Sequence, residues 1–424
     1  MKRIFKSIVA FFLGLAARGV VRRYRPKIVM VTGSVGKTST KDAVAAALSA
    51  KYFVRKSEKS FNSEFGVPFT IFGAPNPWGH PLAWFRLAKS ALALLVLPNH
   101  YPTLLVLEVG ADRPGDLARI LKIATPDAVV VTRLPDVPVH VEAYTSPEAV
   151  REEEFSPALA LRSGAPLVVA ASDPYARELA ARTSAQVITF GTEAGADVRV
   201  CERGYAQEEG VVVGMAAEAE LGGEKRTVVI RGSVGRTQLL PTAAALAVAK
   251  ALEVPPGEAL DQLAAYEPPP GRGRLFAGKN GSVIIDDSYN ASPAAVEEAL
   301  ATLQAFPHAR RRIAALGDML ELGRYSVAEH ERIGATARAA ADLVAAVGVR
   351  ARAYASAAGK AEVIAFENAR TAGEELARIA SPGDVILVKG SQSMRMERVV
   401  EALLADPADA TRLVRQEKEW KRKA

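Results

Sequence analysis

Ile28–Ser39 reads IVMVTGSVGKTS and runs directly into the helix-forming KDAVAAALSAK. An apolar strand that turns through Gly33 and Gly36 into a helix leaves successive backbone N–H groups facing one concavity, at the positive end of the helix dipole. Phosphate oxygens fit such a concavity. Lys37 then stands where a side chain reaches the β- and γ-phosphates of ATP, Thr38 supplies a hydroxyl for Mg²⁺, and Ser34 and Ser39 complete the loop. The longer P-loop pattern asks for a glycine two residues before Gly33, where this chain has Val31. The stretch is therefore the shorter form G-x-x-G-K-T. The competing reading is an ordinary strand-to-helix turn with a solvated lysine.

A chain of 424 residues, 49% hydrophobic and 24% charged, fits a globular protein of two or three domains. Its single cysteine, Cys201, allows neither an internal disulfide nor a cysteine metal cluster, which suits a reducing compartment, and its five histidines are scattered. Residues 1–27 carry eight basic side chains and no acid, so the formal net charge of +7 leaves −1 for residues 28–424. The basic character belongs to one arm, and a nearly neutral body excludes nucleic acid as the expected partner. The arm contains the ten-residue apolar run Ile8–Ala17, IVAFFLGLAA, too short to span a bilayer and flanked by basic residues. An ATP-dependent body belongs in the cytoplasm, which disfavours a signal peptide. Two arrangements stay open for the arm: a helix lying on the inner face of the membrane, or a helix packed on the body.

The rest of the chain alternates strand and helix, the pattern of parallel, doubly wound sheets. Strands are expected at Leu104–Val109, Ala128–Thr132, Pro166–Ala171 and Gln186–Phe190, with helices at Pro114–Ile123 and Pro147–Arg162 among those between. From Asp197 to Ile230 short segments broken by EEG and GGE read as antiparallel hairpins, and a helix follows at Gln238–Leu252. YEPPPGRGR, residues 266–274, is of linker type, and beyond it GSVIIDD, RRIAALGD, ADLVAAVG, AEVIAF and DVILVKG restart the βα rhythm. The expected fold is α/β: after arm 1–27, a P-loop ATP-binding domain at 28–266 with a parallel sheet plus antiparallel hairpins, then a smaller Rossmann-like α/β domain at 267–424. Two such domains suggest a site in the cleft between them, closed by hinge motion. GSVGRT at 232–237 nearly repeats the phosphate loop but lacks its lysine, and a turn into the next helix accounts for it.

Other segments gain meaning in combination. LVLEVGAD places Glu108 at the carboxyl end of a strand, where α/β sheets carry metal carboxylates, or where it caps the helix after GADRPGD. VHVEAY supplies His140 after the next strand, as a ligand or as a structural histidine. IIDDSYNASP offers Asp286, Asp287, Tyr289 and Asn290 at a strand end, or a turn with a cap before helix Pro293–Leu303.

TGSVGKTSTK, FNSEFGVP, LEVGADRPGD, VHVEAYTSPEAV, GRGRLF, DDSYNASP, ALGDMLELG with His330, and VKGSQSMRME stand in the order seen in Mur ligases. From about Ile28 to its end the chain resembles this family, most of all the branch that adds D-alanyl-D-alanine. The resemblance implies an ATP-dependent ligase that phosphorylates a carboxylate and lets an amine attack the acyl phosphate. It implies a cell-wall precursor and an amino acid or dipeptide as substrates. Both steps gather anions, so held cations lower the barrier. By the resemblance Lys37 and Arg274 neutralise phosphates, Thr38 and Glu108 hold one Mg²⁺, and His140 lies near a second. Asp287, Tyr289 and Asn290 match the ATP-contacting segment; Asn62, Lys389 and Ser391 match substrate-side positions.

Two departures stand out. The family normally carries a carbamoylated lysine on the helix after the histidine motif, and SPEAVREEEF puts Glu154 there. A glutamate supplies a permanent negative charge on a shorter side chain, so it acts through a water or a shifted helix, or activity is lost and a regulatory ATPase remains. A third reading is that Glu152, Glu153 and Glu154 form a solvated helix face. The second departure is the short stretch before the core strand, which leads us to expect no separate UDP-gripping domain. In its place stand the arm and residues 74–100, whose Trp78, Trp84 and Phe85 cover a substrate, fill a core or face a membrane.

Overall fold

The computed structural model describes residues 2–421 apart from Lys59, Ser60, Gly79 and Gly222. Met1 and the side chains of residues 2–5 in the expected arm, and residues 422–424 of the expected second domain, lie outside the described residues, as do the side chains of 418 and 419. The chain forms two compact units. The first comprises Met1–Cys201, Ala219–Arg226 and Leu240–Tyr266; the second comprises Glu202–Glu218, Thr227–Leu239 and Glu267–Ala424.

The first begins with α1 (Lys2–Tyr24), β1 (Lys27–Thr32), α2 (Lys37–Leu48), β2 (Val54–Lys56), α3 (Gly66–Phe72), α4 (Pro81–Val96) and β3 (Leu104–Glu108). It continues through α5 (Asp116–Leu121), β4 (Ala128–Val131), α6 (Pro147–Leu159), β5 (Pro166–Ala170), α7 (Pro174–Ala180) and β6 (Gln186–Gly191). β1 lies between β3 and β4, parallel to both, and β2, β5 and β6 extend the parallel sheet. β3 and β4 are buried at every residue and β1 at all but its first. Continuous apolar runs of this kind, rather than alternation, mark a sheet covered on both faces. The hairpin strands β7 (Val198–Glu208), β8 (Val211–Leu221) and β9 (Glu224–Arg231) follow in order beside β6, completing nine strands. Glu209 and Gly210, both at positive φ, make the first hairpin turn, and a right-handed strand twist favours that conformation. Helices α8 (Leu239–Ala251) and α9 (Pro256–Ala264) follow, and the hydroxyl of Tyr266 donates to the carbonyl of Ser39 at 3.1 Å. The parallel strands and the hairpins stand where the sequence places them; β2, α4 and α9 are additional.

Of the two arrangements open for the arm, the inner face of α1 packs on the body. Ala17 and Val20 are fully buried in the core that holds Leu87, Ala91 and Leu94 of α4. Arg23 donates to the carbonyls of Leu95, Val96 and Leu97 at the end of α4, where helical carbonyls lack intrahelical partners. Tyr24 stacks on Tyr101 with ring centroids 4.5 Å apart. Among the described residues no helix is long and apolar enough to cross a membrane.

The second unit contains β10 (Arg274–Ala277), β11 (Val283–Asp287), α10 (Pro293–Ala305), β12 (Arg311–Gly317), α11 (Ser326–Ala340) and β13 (Leu343–Val347). α12 (Ala353–Ser356), β14 (Glu362–Phe366), α13 (Ala369–Ile379), β15 (Asp384–Lys389), α14 (Glu397–Leu403) and α15 (Lys418–Lys421) complete it. The six-stranded sheet runs β10-β11-β15-β12-β13-β14, with only β10 antiparallel to its neighbour. GSVGRT is a turn clamped to GRGR: Ser233 Oγ donates to the carbonyls of Arg272 and Gly273 at 2.7 and 2.9 Å, and Val234 N–H to Gly273 at 2.9 Å.

Candidate active site

The loop after β1 has the backbone its glycines require. Gly33 and Gly36 have φ of 110° and 87°, and a Cβ on Gly33 would lie 2.4 Å from Thr132 Oγ1. The β1–β3 register sets Val31 opposite Glu108 and so brings the Glu108 carboxylate beside the loop. Thr38 Oγ1 donates to Glu108 Oε1 at 3.2 Å, and both residues are buried. The Glu108 amide donates to Ser57 Oγ at 3.1 Å, which holds the strand end in place. Lys37 Nζ donates to the carbonyl of Gly33 and stands 3.9 Å from Glu154 Oε1. Asn62 sits beside it: its carbonyl accepts from Gly110 N–H at 3.1 Å, and a Cβ on Gly110 would meet Asn62 Nδ2 at 3.1 Å and Lys37 Cε at 3.5 Å.

Helix α6 is anchored to the loop through one residue. Thr32 Oγ1 donates to the Glu154 carbonyl at 2.6 Å, and Ser34 Oγ donates to Glu154 Oε2 at 2.5 Å. Burial pushes the Glu154 carboxyl above its usual range, against the opposing pull of Lys37 and the Ser34 hydrogen bond. The three glutamates do not share a solvated face. Glu152 is exposed near Arg182, Glu153 Oε1 accepts from the Gly115 and Leu117 amides at 3.1 and 3.0 Å, and Glu154 is 1% exposed. The helix after GADRPGD thus takes its cap from Glu153, and Glu108 turns to Thr38. His140, at φ 66°, begins a short 3-10 turn, and its Nε2 lies 3.5 Å from Asp112 Oδ1. Among the described residues no three His, Cys, Asp or Glu side chains converge as a metal cluster would require.

The sequence reading passed over Lys41. Its Nζ, buried at the foot of α2, donates to the Ser57 carbonyl at 2.6 Å and lies 3.1 Å from Asp42 Oδ1. The signal was present: Lys41 and Asp42 run straight into AVAAAL, the apolar part of a helix whose other charge, Lys37, stands at its first position.

In the second unit Asp287 and Lys389 are partners in the β11–β15 register. Lys389 Nζ donates to Asp287 Oδ2 at 2.6 Å and to the Asn290 carbonyl at 3.0 Å. Burial pushes this ammonium below its ordinary range, and Asp287 opposes the shift. The lysine expected near an incoming amine is therefore enclosed, and it fixes the turn that carries Tyr289. The Tyr289 carbonyl accepts from Arg415, and its ring lies 4.3 Å from the Arg272 guanidinium. Ser391 Oγ accepts from the Leu320 amide at 2.8 Å. His330 Nε2 accepts from the Met319 amide at 3.0 Å while Nδ1 faces the Ser326 carbonyl at 2.6 Å, the pattern of a neutral Nδ1–H tautomer. Arg274, opposite Asp286 in the sheet, has its Nη2 3.4 Å from Glu267 and its Nε buried without a hydrogen-bond partner among the described residues.

Asp286 beneath this turn carries a stability prediction. Burial pushes its carboxyl up to about 6 from 3.8. The folded chain then holds a proton that the unfolded chain releases, so this contribution to stability is full below the unfolded pKa and is lost as pH rises from about 4 through about 6. Asp286→Asn keeps an oxygen acceptor for the Ser288 amide, which now donates at 3.1 Å. The variant is expected to lack that fall, which amounts to on the order of 3 kcal/mol between acid and neutral pH. Urea melts of both proteins at a series of pH values check this, and parallel stability curves would refute it.

Comparison with known proteins covers most of the chain. Residues 31–249 match the Mur ligase middle domain, and residues 271–392 match the Mur ligase, glutamate ligase domain. The chain belongs to the Mur ligase family. Within it, the chain is 26% identical over 396 residues to the UDP-N-acetylmuramoyl-tripeptide–D-alanyl-D-alanine ligase of Bacillus subtilis, covering 92% of this chain and 79% of the relative. It is 30% identical over 410 residues to the ligase of the same name from Mycobacterium tuberculosis, covering 89% and 73%. The crystal structure of MurF ligase from Thermotoga maritima in complex with ADP superposes with a TM-score of 0.75 at 29% identity, covering 93% of this chain and 83% of that one.

Proposed function

We propose that the chain is an ATP-dependent ligase that joins a carboxylate to an amine through an acyl phosphate. It adds D-alanyl-D-alanine or a similar amino component to a muramyl-peptide precursor in peptidoglycan synthesis. The observation that carries this is the loop after β1, where Lys37, Ser34, Thr38, Glu108 and Glu154 meet around one concavity. The similarity to ligases of this name supports the substrates.

Lys37 neutralises phosphate oxygens cradled by the amides of Gly33, Gly36, Thr38 and Ser39, while the Ser34 amide donates to the Arg133 carbonyl at 2.8 Å and Ser34 serves the loop through its hydroxyl on Glu154. Thr38 and Glu108 would hold Mg²⁺: a hydroxyl and a carboxylate 3.2 Å apart and buried are the hard oxygen donors that ion takes. Bound there, Mg²⁺ supplies charge neutralisation at the phosphates. A second ion would fall to His140 and Glu154. The imidazole is close enough for its charge to act on the Glu154 carboxyl, which supports that pairing. Asn62, packed against Lys37 across Gly110, is the substrate-side residue of this unit. For the second unit, taken by itself, Arg274, Asp287, Tyr289 and Asn290 are the proposed nucleotide contacts, and Lys389 and Ser391 position them. Their gathering at the carboxyl ends of β11 and β15 supports this, because α/β sheets bind ligands at that edge. The protein works in the cytoplasm, and residues 1–27 bring it to the inner face of the membrane.

Phosphate release by the purified chain, measured with ATP and Mg²⁺ against a panel of muramyl-peptide acids and amines with D-alanyl-D-alanine first, tests the reading. Release is expected only when one acid and one amine are both present, with the amide seen by mass. Release indifferent to the amine would replace the ligase with a regulatory ATPase.

A further inference from the structure

α1 and α4 lie side by side and point the same way. The Lys6 ammonium sits 5.5 Å over the ring of Trp78, just before α4 begins, and Arg23 holds the carbonyls at its end. Each helix buries one stripe and leaves an apolar stripe outside. On α1 the outer stripe is Ile8, Phe11, Phe12 and Leu15, at helical spacing, and Arg18 and Arg22 continue it toward Tyr24. On α4 it is Leu82, Phe85, Leu92 and Val96, with Arg86 and Lys89 between them. Trp84 points the other way, edge-on to Trp78 and Phe69 with centroids 4.9 and 6.3 Å away. Trp84 thus packs half-buried against the core, whereas Phe85 is 71% exposed and Phe11 66%. Single exposed apolar residues are ordinary, but two adjacent stripes of them mark a binding surface.

We infer that α1 and α4 together form a docking platform for an anionic lipid bilayer. The inference rests on the peripheral contact proposed for residues 1–27 and gives it a second half, in α4, and a partner chemistry. Charge selects the occupant. Neither helix contains an acid, and Arg18, Arg22, Arg86 and Lys89 lie within or at the ends of the apolar stripes. A second copy of the chain meeting this face across a two-fold axis would set Arg18, Arg22, Arg86 and Lys89 against the same residues. Anionic headgroups over an apolar interior match both features: phenyl and aliphatic groups enter the acyl boundary and the cations stay at headgroup level.

Co-sedimentation of the full chain with vesicles tests this without nucleotide or substrate, so its failure is separate from failure of the ligase reading. The chain is expected to bind vesicles of phosphatidylcholine with phosphatidylglycerol about tenfold or more tightly than vesicles of phosphatidylcholine alone, and added salt should weaken the binding. The double variant Phe11→Ser with Phe85→Ser should lose about tenfold or more in binding with its melting temperature and ATP turnover unchanged, because both side chains are already in solvent. Arg18→Glu with Arg22→Glu should remove the preference for anionic vesicles. Equal binding to both vesicle types, no binding to anionic vesicles, or parent-like binding by the serine variant would overturn the inference. So would a concentration-dependent dimer in analytical ultracentrifugation that the serine variant abolishes, since a second copy would then be the occupant.

Discussion

Lys37→Met is expected to lower the ligation rate by about a thousandfold while leaving the fold intact. The transferred phosphoryl group and the acid it approaches are both anionic, so the barrier is largely one of charge. Lys37 carries its ammonium on a loop whose backbone conformation is fixed by Gly33 and Gly36. With its side chain 14% exposed, the ammonium rests on the Gly33 carbonyl. It needs no new backbone arrangement to exchange that carbonyl for a phosphate oxygen. Methionine fills the same space with no charge, which separates the electrostatic role from packing. The checks are single-turnover rates, which should collapse, and thermal melts without nucleotide, which should not move. Lys51→Met is the contrast: Lys51 Nζ donates to the Leu252 and Glu253 carbonyls at 3.1 and 2.8 Å, so its loss should affect the melt and spare the rate. A Lys37→Met enzyme within about tenfold of the parent rate would mean that phosphates are not held at this loop.

What was legible in the sequence was local. IVMVTGSVGKTS declares itself because a buried strand, two glycines and a helix start lie within twelve residues, each with its own signature. The segment around PLAWFRLAKSALALLV was not read as a helix, because Leu82, Phe85, Leu92 and Val96 are apolar on its outer side and blur the period that an inward stripe would show. The short β10 was hidden behind a proline linker, and its antiparallel pairing depends on β11, not on its own four residues. Partnerships across the sheet were the least legible. Lys389 and Asp287 are 102 positions apart, and only the parallel register of β11 with β15 makes them neighbours. The same holds for Ser34 and Glu154, separated by 120 positions. Sequence alone marked Glu154 as out of place on its helix, but the structure was needed to direct its carboxylate into the loop.

That contact defines the second large effect: Glu154→Ala is expected to slow ligation by about a hundredfold, and Glu154→Gln by nearly as much. The glutamine can still accept the Ser34 hydroxyl through its amide oxygen, so any loss beyond that hydrogen bond belongs to the charge. Ser34 and Lys37 both address this one carboxylate, at 2.5 and 3.9 Å, and both sit on the loop proposed to hold phosphate. Without its charge the lysine loses the partner that sets its reach, while the Thr32 hydroxyl still ties the loop to α6 through the Glu154 backbone carbonyl. A purely structural role would leave the pH profile alone, whereas a charged one would not. Protonating the carboxylate removes the same charge as the substitution does, so the parent's rate should fall at acid pH and Glu154→Gln should lack this acid limb. Stability of the nucleotide-free protein should respond in the opposite sense. The raised pKa means extra stability at acid pH that is lost as pH rises from the ordinary carboxylate range, and Glu154→Gln should be flatter there. Bicarbonate should have no effect on the parent, because a permanent carboxylate leaves nothing to carbamoylate, whereas Glu154→Lys should become bicarbonate-dependent if a lysine there can take up that group. A Glu154→Ala enzyme at the full parent rate, with no carbamate on any lysine by mass, would show that neither the charge nor its position matters to the reaction.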